Sequence, residues 1–182
     1  MKKITIIILS IMLFVHVQAQ DQKNTIPVFR VNFINPGIEY ESPVLNQSTI
    51  VFNGGIGYGE SYQNTTLYAS GWLYLIVPFT DIQFRNYYNL DKRLAKGKNI
   101  RNNSGNFWGI RMLTRFKELD GNFTRTSGID FAINPMWGLQ RSYGNINLLF
   151  DIGIAYYFDD VGNDGVAPTL EFGIGYNFKK KE

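Results

Sequence analysis

Large apolar side chains occupy every second position over long stretches of the C-terminal half of the chain. The clearest stretch, 169–178, places five of them between small or polar residues: Leu170, Phe172, Ile174, Tyr176 and Phe178. The same alternation covers 147–158 and 129–140. Because successive side chains of a β-strand point to opposite faces, this period of two predicts three strands, each with one apolar face.

The N-terminal half shows the same alternation with interruptions. It predicts further strands at 108–116, 82–88 and 50–59, and a less regular one at 67–77. A first strand is predicted over 29–42, with a bulge at Asn35-Pro36-Gly37 because the apolar face changes parity there. About eight strands in chain order predict an all-β domain with a single antiparallel, up-and-down sheet.

The first residues form a separate segment. Two lysines precede an apolar run over 4–15, and Val17-Gln18-Ala19 offers the small residues that a signal peptidase reads. The run is shorter than the about 20 apolar residues of a membrane-spanning helix. We therefore expect residues 1–19 to be a signal peptide cleaved after Ala19, and residues 20–182 to form the exported domain.

Composition excludes several kinds of chemistry. The chain contains no Cys, and its only His, His16, lies in the expected signal peptide. The exported domain therefore offers no thiol nucleophile, no Ser-His-Asp triad and no imidazole or thiolate zinc site. We predict a protein that is not an enzyme and has no cofactor or metal. Loss of Lys2 and Lys3 lowers the net charge from +3 to +1, which gives no support to nucleic-acid binding.

Alternation alone leaves open whether the apolar row faces inward, as in a soluble lipocalin-like barrel, or outward, as in a membrane barrel. The polar row of the strands carries Gly, Ala, Asn and Thr, whereas Lys is confined to loops, strand ends and the tail. Small residues suit a narrow lumen, while a soluble barrel needs charges on its outer surface. We therefore predict a transmembrane β-barrel with its apolar row in lipid.

Aromatic residues near the predicted strand ends fit the same interpretation. Membrane barrels carry girdles of such residues at both interfaces. The candidates are Tyr58, Trp72, Tyr88, Trp108, Trp137, Tyr156, Tyr176 and Phe178.

The inward row also carries charges of both signs. They are Glu39, Glu41, Arg85, Arg111, Arg115, Asp130, Asp151 and Glu171. Across a lumen just wide enough for side chains to fill, these residues predict a network of salt bridges that plugs the barrel. We prefer this structural role to an ion path or a ligand site.

The longest connection, 89–106, is basic and includes an expected helical turn near 90–96. Its Lys and Arg residues between Lys92 and Arg101 suit a plain charged connection. The alternative is contact with lipopolysaccharide phosphate or another anionic surface.

Several short segments carry a resemblance to a known family. They are Val17-Gln18-Ala19-Gln20, Asn35-Pro36-Gly37-Ile38-Glu39-Tyr40-Glu41, Tyr87-Tyr88-Asn89-Leu90, Gly97-Lys98 and Asn103-Ser104-Gly105-Asn106. In these segments the chain resembles the small OmpA/OmpX-like outer-membrane barrels, and more closely barrel proteins of Bacteroidetes type. The resemblance implies the barrel fold and an outer-membrane location, with membrane lipid and the assembly machinery as partners. Its motifs have no known catalytic role, so it implies little about activity. The charged tail 179–182 departs from the family habit of ending on the aromatic residue.

The leading prediction is a non-enzymatic outer-membrane barrel with a structural or surface-interaction role and a plugged polar lumen. The alternatives are a narrow outer-membrane pore, a lipid-modifying enzyme built into the barrel, and a soluble exported lipocalin-like binding barrel. The absence of Cys and of any His outside the signal peptide disfavours the enzyme. Eight strands with both termini in the periplasm place the basic connection on the periplasmic side, where short turns are usual.

Overall fold

The computed structural model describes residues 24–58, 74–122 and 125–178. The expected signal peptide, residues 67–73 of the less regular predicted strand and the tail 179–182 lie outside these ranges. Within them the chain is all-β apart from short helical turns. The strands are β1 (Val28–Asn32), β2 (Gly37–Leu45), β3 (Ser48–Tyr58), β4 (Leu75–Asn86), β5 (Asn106–Arg115), β6 (Asp120–Gly121), β7 (Asp130–Tyr143), β8 (Ile146–Asp159) and β9 (Asp164–Phe178).

The strands form one antiparallel sheet that closes in a ring. Each long strand pairs with the next one along the chain, and β9 returns to pair with β1, where Phe29 lies opposite Phe178. The short β6 is outside the ring and pairs with the start of β4. Each of the eight ring strands therefore has a hydrogen-bonded partner on both sides, and the space inside the ring is called the lumen below.

The prediction of a single first strand over 29–42 is wrong. The segment is a hairpin of β1 and β2, in which Asn32 lies opposite Gly37 and Val31 opposite Ile38. The turn spans residues 33–36, and Gly37 after it approaches β3 so closely that a Cβ there would lie 2.6 Å from the carbonyl oxygen of Gly54. A hairpin changes the parity of the apolar row just as a bulge does, so the alternation does not distinguish them.

The predicted strands at 67–77 and 82–88 also need correction. Their described parts belong to one strand, β4, whose register with β3 runs without a break from Ile76 to Asn86. The expected number of ring strands is therefore reached through the extra strand of the hairpin.

The apolar row faces outward, as predicted. Ile152 and Phe172 on the outer face are 44% and 48% exposed, whereas Asp151, next to Ile152 along β8, is fully buried on the inner face. Aromatic pairs cover neighbouring strands on the outside, as at Phe131 and Phe158, whose ring centroids are 5.3 Å apart. The charged and amide side chains fill the lumen.

The two ends of the ring differ. Asn24 and Phe178 lie at one end, together with the turns 46–47 and 144–145 and the connection 87–105; we call this the terminal end. The connection contains α1 (Leu90–Ala95) and a 3-10 turn (Arg101–Asn103). The opposite end carries the connections 33–36, 116–129 and 160–163. No helix in the described ranges has the length and apolar character needed to cross a membrane.

Candidate functional site: the charged lumen

The first cluster of lumen charges, called the Arg30 group, consists of Arg30, Arg85, Glu39 and Glu41. Arg30 pairs with both glutamates, and Arg85 Nη1 lies 3.6 Å from Glu39 Oε1. All four side chains are almost completely shielded from solvent. They come from β1, β2 and β4, so the pairs link β1 to its neighbour β2 and connect β2 to β4 across β3.

Neutral side chains make further hydrogen bonds to this group. Gln140 from β7, across the lumen, accepts from Arg85 Nη1 at 2.9 Å. The hydroxyls of Tyr87 and Thr49 donate to Glu41 Oε1 at 2.7 and 2.9 Å. Because buried ions need further hydrogen bonds to offset their desolvation, these contacts make the group a structural network that spans the ring.

The second cluster, the Arg111 group, places three carboxylates around one guanidinium. Arg111 from β5 pairs with Glu171, with Asp151 at 3.4 Å and with Asp81 at 3.9 Å. Asp81 also accepts from Gln83 Nε2 at 2.8 Å. Three carboxylates share this one cation, so the removal of Arg111 would leave buried like charges facing one another.

The third cluster, the Arg125 group, lies toward the opposite end of the ring. Arg125, from the connection between β6 and β7, pairs with Asp130 and with Glu118, the latter at 3.4 Å. Arg115 Nε lies 3.7 Å from Asp130 Oδ2. The group fastens the connection 116–129 to the mouth of the lumen.

The structure brings all eight predicted residues into these three groups. Sequence reasoning missed Arg30, Asp81 and Arg125. Arg30 was missed because β1 and β2 were interpreted as one strand. Asp81 shares the inward parity of Gln83 and Arg85, so the alternation of β4 contained its signal. Arg125 lies outside any alternating segment, and its sequence neighbourhood carried no signal.

The connection 87–105 closes the terminal end from within. Leu90 of α1 is fully buried in an apolar cluster with Tyr87, Phe107, Met136 and Leu149. The guanidinium of Arg85 lies 5.1 Å from the centroid of the Phe107 ring, where the apolar cluster meets the Arg30 group.

Polar contacts hold the rest of this connection in place. The side chain of Asn103 exchanges two hydrogen bonds of 2.9 Å with the backbone of Ile26. The backbone nitrogen of Gln140 donates to Gly105 O at 2.8 Å. The connection 87–105 therefore packs into the terminal end of the ring instead of lying on its surface, and it is called the stopper below.

A cavity of about 140 Å³ remains in the lumen beside the Arg111 group. Its lining combines Glu39, Asp81 and Arg111 with apolar side chains such as Phe79 and Leu113. Space of this size suits ordered water between the charged groups. The described residues contain no group of three His, Cys, Asp or Glu side chains placed to hold a metal ion.

Comparison of the chain with protein-family models, with curated proteins and with solved structures found no match.

Proposed function

We propose that this protein is a non-enzymatic β-barrel of the outer membrane, with a structural or surface-interaction role and a plugged polar lumen. The observation that carries the proposal is the inverted distribution of side chains. Arg30, Arg85 and Asp151 are at most 1% exposed inside the ring, whereas Leu170 on the outer face is 74% exposed. A closed ring satisfies the strand hydrogen bonds, which is what a bilayer requires of a spanning sheet.

The outer face supports lipid contact over contact with water. A soluble protein rarely exposes a continuous apolar patch of more than a few hundred square ångströms. Here exposed apolar side chains follow one another around the ring. They include Ile38, Tyr40, Phe52, Ile82, Ile110, Met112, Ile152, Ile154, Leu170 and Phe172. The soluble lipocalin-like alternative needs an apolar interior, and the three ionic groups occupy that space.

The plugged lumen is preferred to the narrow pore because two layers obstruct the axis. The Arg30 group and Gln140 are buried across the ring, and the stopper around Leu90 lies beyond them at the terminal end. A conducting path would have to displace paired ions as well as the connection.

The expected signal peptide cleaved after Ala19 and the family resemblance favour the outer membrane, its lipid and its assembly machinery as surroundings. The terminal end then faces the periplasm, since its turns 46–47 and 144–145 are short. The basic connection on that side is long because it closes the lumen as the stopper, which a short turn could not do.

Membrane fractionation combined with heat-modifiable gel mobility tests the proposal. We expect the exported chain in the outer-membrane fraction, with unheated protein migrating differently from heated protein. Recovery in the soluble periplasmic fraction would favour the lipocalin-like alternative instead. In planar bilayers the purified protein should give no steady conductance, whereas stable channels would favour the pore.

A further inference from the structure

A basic pocket lies on the outside of the terminal end, apart from the lumen. Its lining includes five cationic side chains, from Lys92, Arg93, Lys96, Lys98 and Arg141. The concave space is large, at about 530 Å³. None of these five forms an ion pair with any described carboxylate, whereas each lumen arginine does.

The acidic residue of α1 forms no ion pair with the cations of the pocket. Asp91 is engaged elsewhere, where it accepts from the side chains of Asn24 and Gln47. Arg93 and Arg141 are held in place by neutral acceptors, Asn99 O at 2.8 Å and Gly105 O at 2.8 Å. The five cations therefore lie together without an ion-pair partner among the described carboxylates.

The pocket lies beside three exposed aromatic residues of the predicted girdle, Tyr88, Trp108 and Trp137, and this position indicates what it binds. Tyr88 lines the pocket, and its hydroxyl accepts a 2.9 Å hydrogen bond from Trp137 Nε1 on the outer face. Trp108 lies directly opposite Trp137 on the adjacent strand. Exposed Trp and Tyr side chains mark the level of the lipid headgroups, so the pocket begins where the phosphates of the adjacent leaflet lie.

We propose that this pocket binds the phosphate headgroup of an anionic phospholipid in the leaflet at the terminal end. The inference rests on the proposed function, because it requires the outer face to be in lipid. Lysine and arginine are the usual partners of phosphate, and the neighbouring girdle presents apolar ring surface to the acyl chains of the same lipid.

Native mass spectrometry of the full folded chain in detergent tests the proposal. Phosphatidylglycerol, phosphatidylcholine and inorganic phosphate are the probes. We expect saturable binding of phosphatidylglycerol, weaker binding of phosphatidylcholine, and no displacement of the lipid by an equal concentration of phosphate. The pocket variant Lys92→Gln/Lys96→Gln should bind phosphatidylglycerol about thirtyfold more weakly, since each basic side chain beside an anionic surface contributes about fivefold.

The control is Lys117→Gln, which removes an exposed lysine from the connection 116–129 at the opposite end of the ring. Its affinity should stay within about twofold of the parent, because distant exposed charges are screened. Equal binding of the two lipids, or equal losses in both variants, overturns the pocket assignment. Full displacement by inorganic phosphate assigns the pocket to a free anion instead.

Heat-modifiable mobility is recorded for every variant, so that the two proposals fail separately. A chain that retains this mobility and its membrane location but shows no lipid preference overturns the pocket alone. A chain that does not associate with the membrane overturns the barrel proposal and the pocket with it.

Discussion

Arg111 has the most demanding electrostatic position in the lumen, since Asp81, Asp151 and Glu171 all surround it. Arg111→Ala should lower the free energy of unfolding by about 3–5 kcal/mol, because it leaves buried carboxylates without their cation. Urea unfolding of the folded protein in lipid vesicles measures the change. Lys96→Ala is the control, since Lys96 is exposed and forms no ion pair within the described ranges. Equal unfolding midpoints for the two variants would contradict a stabilising role for the network.

Gly138 tests how tightly the lumen is packed. A Cβ at this inward position would lie 2.5 Å from Cζ of Phe107 and 2.7 Å from the carbonyl oxygen of Phe150. Gly138→Ala should therefore destabilise the protein by about 1–3 kcal/mol through overpacking. Gly54→Ala is the control, because the nearest atom to its new Cβ is 3.5 Å away. The same urea titration compares them, and a neutral Gly138→Ala would show that both Phe107 and the backbone at Phe150 shift freely.

At the scale of elements, the stopper is the least expected part of the fold. Leu90 and Leu94 lie on the same helix, but Leu90 is fully buried while Leu94 is 57% exposed. Leu90→Ala should cost about 2–5 kcal/mol, the usual effect of a cavity in an apolar cluster. Leu94→Ala should leave the unfolding midpoint unchanged, since it removes no buried contact. Similar effects of the two substitutions would mean that α1 does not insert into the ring.

The strands were predictable where neighbour contacts alone determine the pattern. The alternation at 129–140 and 147–158 falls within β7 and β8, whose inward and outward rows are as expected. The helical turn near 90–96 matches α1. The hairpin of β1 and β2 could not be separated from a bulge, because both reverse the parity of the row. The close approach of Gly37 to Gly54, which is distant in sequence from the turn, is likewise not encoded in the local pattern.

The lumen network was predictable only in part for the same reason. Inward parity identified most of its charged residues. Which of them form ion pairs depends on the shear of the ring and on distances across the lumen, which no local pattern encodes. Arg125 reaches Asp130 from an irregular connection, and Leu90 reaches Phe107 from a helix. Arg125 was therefore missed because a connection supplies it, whereas the other two missed residues, Arg30 and Asp81, lie on β1 and β4.

At the scale of the molecule, the charged side chains fall into two sets, one inside the ring and one outside its terminal end. Inside, the arginines are paired and hold strands together; outside the terminal end, the cations of the basic pocket have no acidic partner among the described residues. The apolar outer face lies between that pocket and the connections of the opposite end. This order of charge, aromatic girdle and apolar band along the axis matches the layers of a bilayer leaflet.

The apolar band gives the sharpest test of the membrane proposal. Ile82 lies on the outer face of β4, opposite Phe52 and Met112, and four residues from Asn86, the strand neighbour of Trp108. In lipid, Ile82→Lys should cost about 2–4 kcal/mol, the penalty for a cation near the bilayer midplane, whereas in water an exposed Ile→Lys change would be nearly neutral. Val161→Lys, in the turn 160–163, adds the same charge beyond the band and should leave stability in lipid vesicles unchanged. If urea unfolding in vesicles shows the two lysine variants to be equally stable, the outer face does not lie in hydrocarbon.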